Sequence, residues 1–277
     1  MNLQISVPHQ KCVYRCPMCV ARSHKNENSF TNLYATNPKE WRRRLESTVK
    51  NGNYDAIVIT GECDPTQDMC YVNDVINIIW NIRGITPNIE FTTHNQKFMN
   101  SISNAHIGNK IKTITLSVTN IREYLNAWST IKRNAFNNYN YRLVILLTKE
   151  FEFLTPENFN TMGFDQVTFK TLQYGEDGDV NRWIYENKMS DEHIDIIREI
   201  VEKYNSNSEC SVRLDTSCQT AEGRYEIFRS DGNLYSSWEA FEPKESESPK
   251  EKDTVCKITN LPCCNYAPGC ENTCLRS

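Results

Sequence analysis

Lys11-Cys12-Val13-Tyr14-Arg15-Cys16-Pro17-Met18-Cys19 carries three cysteines at the spacing C-x3-C-x2-C. It follows Leu3-Gln4-Ile5-Ser6-Val7, which alternates apolar and polar residues like a strand and stops at Pro8. Thiolates are soft ligands, and spacers this short let one loop fold its sulfurs around one small inorganic body, an iron-sulfur cluster or zinc. A closed zinc site wants four ligands, whereas three thiolates on a four-iron cluster leave one iron open to a substrate or cofactor. With 12 Cys in 277 residues, an accidental match to this spacing is expected in roughly one such sequence in fifty, so chance is a poor account of it.

The composition around the loop suits a compact enzyme. At 39% hydrophobic residues the chain can bury a sizeable core. It has no run of 18 apolar residues and no basic-then-apolar N-terminal signal, so a membrane span is not expected and a cytoplasmic location is. In a reducing compartment the cysteines read as metal ligands rather than disulfides. A net charge of −4 provides no global field for polyanions, and bulk nucleic-acid binding is not suggested.

Downstream of the loop, apolar runs and helical patterns alternate. Asn37-Pro38 opens a helix through Trp41, Leu45 and Val49 that closes at Gly52, and Arg42-Arg43-Arg44 reads as its solvated face. Ala56-Ile57-Val58-Ile59 reads as a strand buried on both faces and runs into Thr60-Gly61-Glu62-Cys63-Asp64-Pro65. A helix over 68–80 follows, then strands at 89–93, 113–118, 141–147 and 166–170 with a helix near 121–136 between the second and third. Gly175-Glu176-Asp177-Gly178-Asp179 lacks the alternating ligands and final Glu of a calcium loop and reads as a flexible turn. A last amphipathic helix begins at Ser190. Six strands alternating with helices predict parallel βα units with the chemistry at the C-terminal strand ends.

The strand, the Cys12-x3-Cys16-x2-Cys19 loop and the Thr60-Gly61-Glu62 turn after the second strand together resemble the radical S-adenosylmethionine (SAM) enzymes. The resemblance implies a partial (βα)6 TIM-like barrel. It implies that Cys12, Cys16 and Cys19 hold a [4Fe-4S] cluster whose fourth iron is chelated by the amino and carboxylate groups of SAM. It implies that reductive cleavage gives a 5′-deoxyadenosyl radical that abstracts hydrogen from a substrate. Thr60-Gly61-Glu62 stands for the family's Gly-Gly-Glu-like turn at the SAM ammonium, with Thr60 replacing the first Gly. Met18 stands where the family usually has an aromatic near the adenine. Strand-end positions place Thr93, His94, Ser117, Arg142 and Lys170 near SAM or substrate, with Ser117 suited to a ribose hydroxyl; for His94 the alternative is a capped or solvated loop residue. An external electron donor such as flavodoxin or ferredoxin is expected.

The tail has cysteine chemistry of its own, and the chain divides into a barrel over 1–207 and a Cys-rich extension over 208–277. Residues 222–235 read as a β-hairpin with Asp231-Gly232 at its turn, and 243–253 as a linker. Cys264-x5-Cys270-x3-Cys274 resembles part of the SPASM/Twitch auxiliary-cluster extension of radical SAM maturases. Ser237 and Leu261 stand where further cysteines of that pattern belong, which argues for one auxiliary site from Cys256, Cys264, Cys270 and Cys274, with Cys263 the alternative ligand and zinc the alternative metal. Cys63 and Cys218 are the candidate hydrogen-atom donors to a substrate radical.

These readings predict hydrogen abstraction from a peptide, with a nucleoside or small metabolite as the alternative substrate and a non-catalytic metal-binding interaction protein as the alternative class. The start of the chain leaves no room for a domain before the first strand, so a peptide would need a separate recognition partner or contacts with the tail.

Overall fold

The computed structural model describes residues 1–8, 12–19, 31–82, 88–95, 110–134, 139–161, 163–174, 177–207, 210–216, 225–236, 238 and 243. Its frame is one nine-stranded sheet in the order β7-β6-β5-β4-β3-β2-β1-β8-β9. The strands are β1 (Asn2–Val7), β2 (Ala56–Gly61), β3 (Asn88–Thr93), β4 (Thr113–Val118), β5 (Asn140–Leu146), β6 (Gln166–Lys170), β7 (Ser211–Asp215), β8 (Tyr225–Phe228) and β9 (Leu234–Tyr235). Each of β1 to β6 pairs in parallel with the next in sequence, so the C-terminal ends of β1 to β7 all point the same way. The sheet does not close on itself; the parallel βα units that the alternation predicted are present, in the partial barrel that the resemblance implied.

The helices are α1 (Leu33–Thr36), α2 (Pro38–Asn51), α3 (Met69–Asn81), α4 (Ile121–Asn134), α5 (Gly178–Asn187) and α6 (Asp191–Asn207). Their starts are written in short side chains that accept orphan backbone N–H groups. Asn37 accepts from Glu40 with Pro38 in the first turn, and Asp68 accepts from Tyr71. Trp41, Leu45 and Val49 of α2, Val72, Val75, Ile76 and Ile79 of α3, and Ile194, Ile197 and Ile200 of α6 join Leu3, Ile5, Ile57, Ile59, Ile114, Leu143, Val167 and Val212 in one core. Fully burying each such side chain contributes about 1.5–3 kcal/mol.

That core uses one face of the sheet. Ile57 and Ile59 are buried but Ala56 and Val58 are only half-buried, so β2 is not the doubly buried strand expected from its apolar run. The physical reason is the open sheet: among the described residues no helix layer covers its second face along this strand.

Three further differences reach the site. Residues 177–179, read above as part of a flexible turn, begin a helix: Asp177 accepts from the backbone N–H groups of Asp179 and Val180 and caps α5, whose positive N-terminal end also favours Asp179. β7 adds a seventh parallel strand. The hairpin around Asp231-Gly232 forms, with Ile227 opposite Tyr235 and Gly232 at φ +78°, and β8 pairs in parallel with β1 from Asn2↔Tyr225 to Ile5↔Phe228. Strands from beyond residue 207 thus extend both edges of the sheet. Residues 244–277, which hold the five tail cysteines, lie outside the described residues.

Candidate functional site

β1 delivers the chain to the cysteine loop at the C-terminal end of the sheet, and the ends of β2 and β3 stand beside it. Cys12, Cys16 and Cys19 are free thiols, each half-buried. Between them Arg15 takes a left-handed φ of 44°, and the backbone N–H of Cys19 donates to the carbonyl of Cys16 at 3.1 Å. The Cys16 thiol is pushed up to about 12, first by burial and then by Cys19 and Cys12. Three thiols on one short loop, two of which raise the cost of ionising the third, Cys16, are a donor set that a soft cationic body would relieve, with release of protons on binding. Among the described residues no three His, Cys, Asp or Glu side chains already stand in ligating geometry. By the chemistry of its donors, three soft thiols on one loop, this set suits an iron-sulfur cluster.

The two ends of the loop are anchored differently. Gln67, the last residue of a 3-10 turn (Pro65–Gln67) after β2, accepts from the Val13 N–H at 3.0 Å and donates from Nε2 to Cys12 Sγ at 3.2 Å. Met18 is buried with Val180 and Ile184 of α5, and Cys16, Leu146, Leu172 and Trp183 pack against that cluster. Met18 therefore lies over the ends of β5 and β6 in apolar contact.

Gly61, the last residue of β2, sits opposite Val7 with φ +129°. A Cβ there would lie 2.7 Å from Ser6 Oγ and 2.9 Å from Ser6 Cα, so both the backbone angle and the close approach require glycine. Glu62 then turns inward and is 4% exposed. Its Oε1 accepts from Ser6 Oγ at 3.4 Å and stands 3.7 Å from Arg229 of the hairpin. Arg229 is fully buried between the rings of Tyr235 and Trp238, and its Nη2 donates to the Trp238 carbonyl at 2.6 Å. The Trp238 indole N–H donates in turn to Gln4 Oε1 on β1 at 2.7 Å.

Asp64 ties the end of β2 to the end of β3. Its carboxylate accepts from the Thr66 N–H and hydroxyl at 2.9 and 2.7 Å, from the Thr93 hydroxyl at 2.8 Å and from the His94 N–H at 2.8 Å. Thr93 is buried within this network and also accepts from the Asn95 N–H. His94 places Nε2 3.9 Å from Cys16 Sγ and its ring 5.9 Å from that of Tyr14. Cys63 is buried, and its thiol is pushed up to about 12 by burial first and then by Cys12.

The sheet thus brings Cys12, Cys16, Cys19, Met18, Thr60, Gly61, Glu62, Cys63, Thr93 and His94 to the strand ends around one loop. Ser117, half-buried and second from the end of β4, and Lys170, last in β6 and 4.0 Å from Asp215 of β7, also stand at C-terminal ends. Arg142 does not. It is the third residue of β5, and its Nε donates to Gln166, the first residue of β6, at 2.5 Å, which puts it toward the opposite ends of the strands. Cys218, Cys256, Cys263, Cys264, Cys270 and Cys274 lie outside the described residues. The sequence reading passed over Asp64, Gln67 and Arg229. Asp-Pro after a buried strand is a capping signal that could have flagged Asp64. Nothing local marks Gln67 or Arg229.

This arrangement, a parallel partial barrel with a three-cysteine loop after its first strand, has the fold of the radical SAM enzymes. SuiB of Streptococcus suis, in its complex with S-adenosylmethionine, superimposes at a TM-score of 0.52 and 14% identity over 86% of this chain and 60% of SuiB. Its complex with the precursor peptide SuiA gives 0.54 and 13% over 85% and 59%. Native anSMEcpe with bound AdoMet and the Kp18Cys peptide gives 0.58 and 11% over 85% and 74%. The chain therefore spans about 60% of the length of the SuiB chains it matches. No protein-family model matches the sequence, and no curated protein does. Among the described residues no helix is long and apolar enough to cross a membrane.

Proposed function

We propose that this chain is a radical SAM enzyme that abstracts hydrogen from a peptide. The observation that carries the reading is three free thiols on one loop at the C-terminal strand ends, beside a turn at which only glycine fits. Held there, a reduced [4Fe-4S] cluster would supply the electron for cleavage of SAM to methionine and a 5′-deoxyadenosyl radical, which would be able to take hydrogen from an unactivated C–H group.

Cys12, Cys16 and Cys19 are the residues assigned to the cluster, and their number leaves one iron for SAM. Gly61 lets the β2 turn run close to β1, so that Thr60, Gly61 and Glu62 are available to the SAM ammonium, with Arg229 orienting Glu62. Ser117 is assigned to the ribose, Lys170 to an anionic group, and Met18 to the wall of the adenine site. Thr93 acts through Asp64 by holding the β3 end. Cys63, a buried thiol that stays protonated at neutral pH, is the candidate hydrogen donor among the described residues. An auxiliary site from Cys256, Cys264, Cys270 and Cys274 is proposed from the cysteine spacing of the tail, and a flavodoxin or ferredoxin donor from the resemblance to the radical SAM enzymes. Peptide is the favoured substrate class because two of the matched proteins were solved with peptides bound.

Anaerobic reconstitution followed by dithionite and SAM tests the reading. We expect 5′-deoxyadenosine from the wild type and none from Cys16→Ala, with about four iron per chain for one cluster or about eight for two. A protein that takes up zinc, no iron, and leaves SAM intact would favour a binding protein instead.

A further inference from the structure

We infer that Gln67 is a positioning residue of the cysteine loop that donates an N–H···S hydrogen bond to Cys12 and thereby sets how easily the bound cluster is reduced. The inference rests on the function proposed above and adds a residue that the three-cysteine spacing does not contain.

The orientation of the Gln67 amide follows from its partners. The Val13 backbone N–H can only donate, so the atom it meets at 3.0 Å must be Oε1. That leaves the Nε2 group facing Cys12 Sγ at 3.2 Å, within hydrogen-bond distance for sulfur. One side chain therefore grips the loop twice, once by its backbone and once by the sulfur itself.

Gln67 is itself held in place. It closes the 3-10 turn, with its N–H donating to the Asp64 carbonyl at 3.0 Å, and the Asp64 side chain caps that turn through Thr66. The same carboxylate is bound to Thr93 and His94 at the end of β3. A rigid path thus runs from β3 through Asp64 and Gln67 to Cys12. A donor fixed in this way stabilises the more negative, reduced state of an iron-sulfur cluster more than the oxidised one, because hydrogen bonds to the sulfurs raise the reduction potential.

The test compares reconstituted wild type, Gln67→Leu and Gln67→Glu by redox titration monitored by electron paramagnetic resonance (EPR) without SAM. Leucine removes both bonds, whereas glutamate keeps an acceptor for Val13 but offers no N–H to sulfur. With equal iron per chain, both variants are expected to be harder to reduce, the ratio of reduced to oxidised cluster at a fixed poise falling on the order of tenfold. In D2O, pulsed EPR of the wild type is expected to show a coupled exchangeable deuteron that both variants lose. If glutamate restores the wild-type potential and the deuteron coupling persists in both variants, Gln67 merely anchors the loop and the inference falls. Unchanged potentials in both variants overturn it equally and leave the proposed function standing. A wild type that binds no four-iron cluster overturns the function reading itself, and this one with it.

Discussion

Cys12 and Val13 are held by directional hydrogen bonds with Gln67, which donates to Cys12 Sγ and accepts from the Val13 N–H, whereas Cys16 and Met18, a few residues on, are held by apolar packing against α5, Leu146 and Leu172. Hydrogen bonds fix a sulfur in direction and alter its electron density. Packing fixes the depth of the chain but tolerates changes of shape. The two sides divide the labour: the β2 and β3 side of the loop sets the direction of the Cys12 sulfur, and the β5 and β6 side sets where the loop lies.

The largest break in that comparison is expected at Asp64, on which the polar side depends. Asp64→Ala leaves the Thr66, Thr93 and His94 donors without their shared acceptor. Each buried group so orphaned costs about 1–3 kcal/mol, and relaxation around the turn should hold the total to about 3 kcal/mol. That corresponds to a fall in Tm of roughly 6–12 °C, measurable by thermal or urea unfolding. A loss below about 1 kcal/mol would mean that the turn does not depend on Asp64.

On the apolar side a smaller and more shape-tolerant effect is expected. Met18→Ala should cost about 2 kcal/mol, at the low end for a buried Met because its cluster is small, while Met18→Leu should stay within about 1 kcal/mol. Equal losses from both substitutions in urea unfolding would show that Met18 does more than fill space.

The smallest effect is one of rate and sharpens the picture of Cys63 beneath Cys12. Burial and Cys12 push the Cys63 thiol up to about 12, so at pH 8 only about one molecule in ten thousand carries the thiolate. Exposed Cys70 should be alkylated first, with Cys63 at least about tenfold slower and speeding up as pH rises toward that value. Mass spectrometry of iodoacetamide-treated apoprotein gives the order, and Cys63 labelling as fast as Cys70 would contradict its burial.

Much of the fold could be read from the residues because it is local. Alternation in Leu3–Val7, the Asn37 cap with Pro38 behind it and the Asp231-Gly232 turn each specify their own conformation. The parallel pairing of β8 with β1 was not legible, since more than 200 residues separate the partners and no short-range signal encodes it. For the same reason the buried Glu62–Arg229 pair was invisible. α5 was missed because its acidic start resembles a turn until Asp177 is seen to cap it. At the site, Cys12, Cys16, Cys19 and Gly61 announce themselves by spacing and residue type. Arg142 was misplaced because a polar residue at the beginning of a strand and one at its end look alike in a string of letters, and Gln67 acts only through contacts made after folding.

The central claim is that three sulfurs hold a cluster with one corner free for SAM, and EPR of the dithionite-reduced, anaerobically reconstituted protein tests it most directly. The account predicts a spectrum of a reduced [4Fe-4S] cluster that changes in g values when SAM is added and is absent from Cys16→Ala unless the tail holds a second cluster, whose signal would ignore SAM. A wild-type spectrum that SAM leaves unchanged would contradict it.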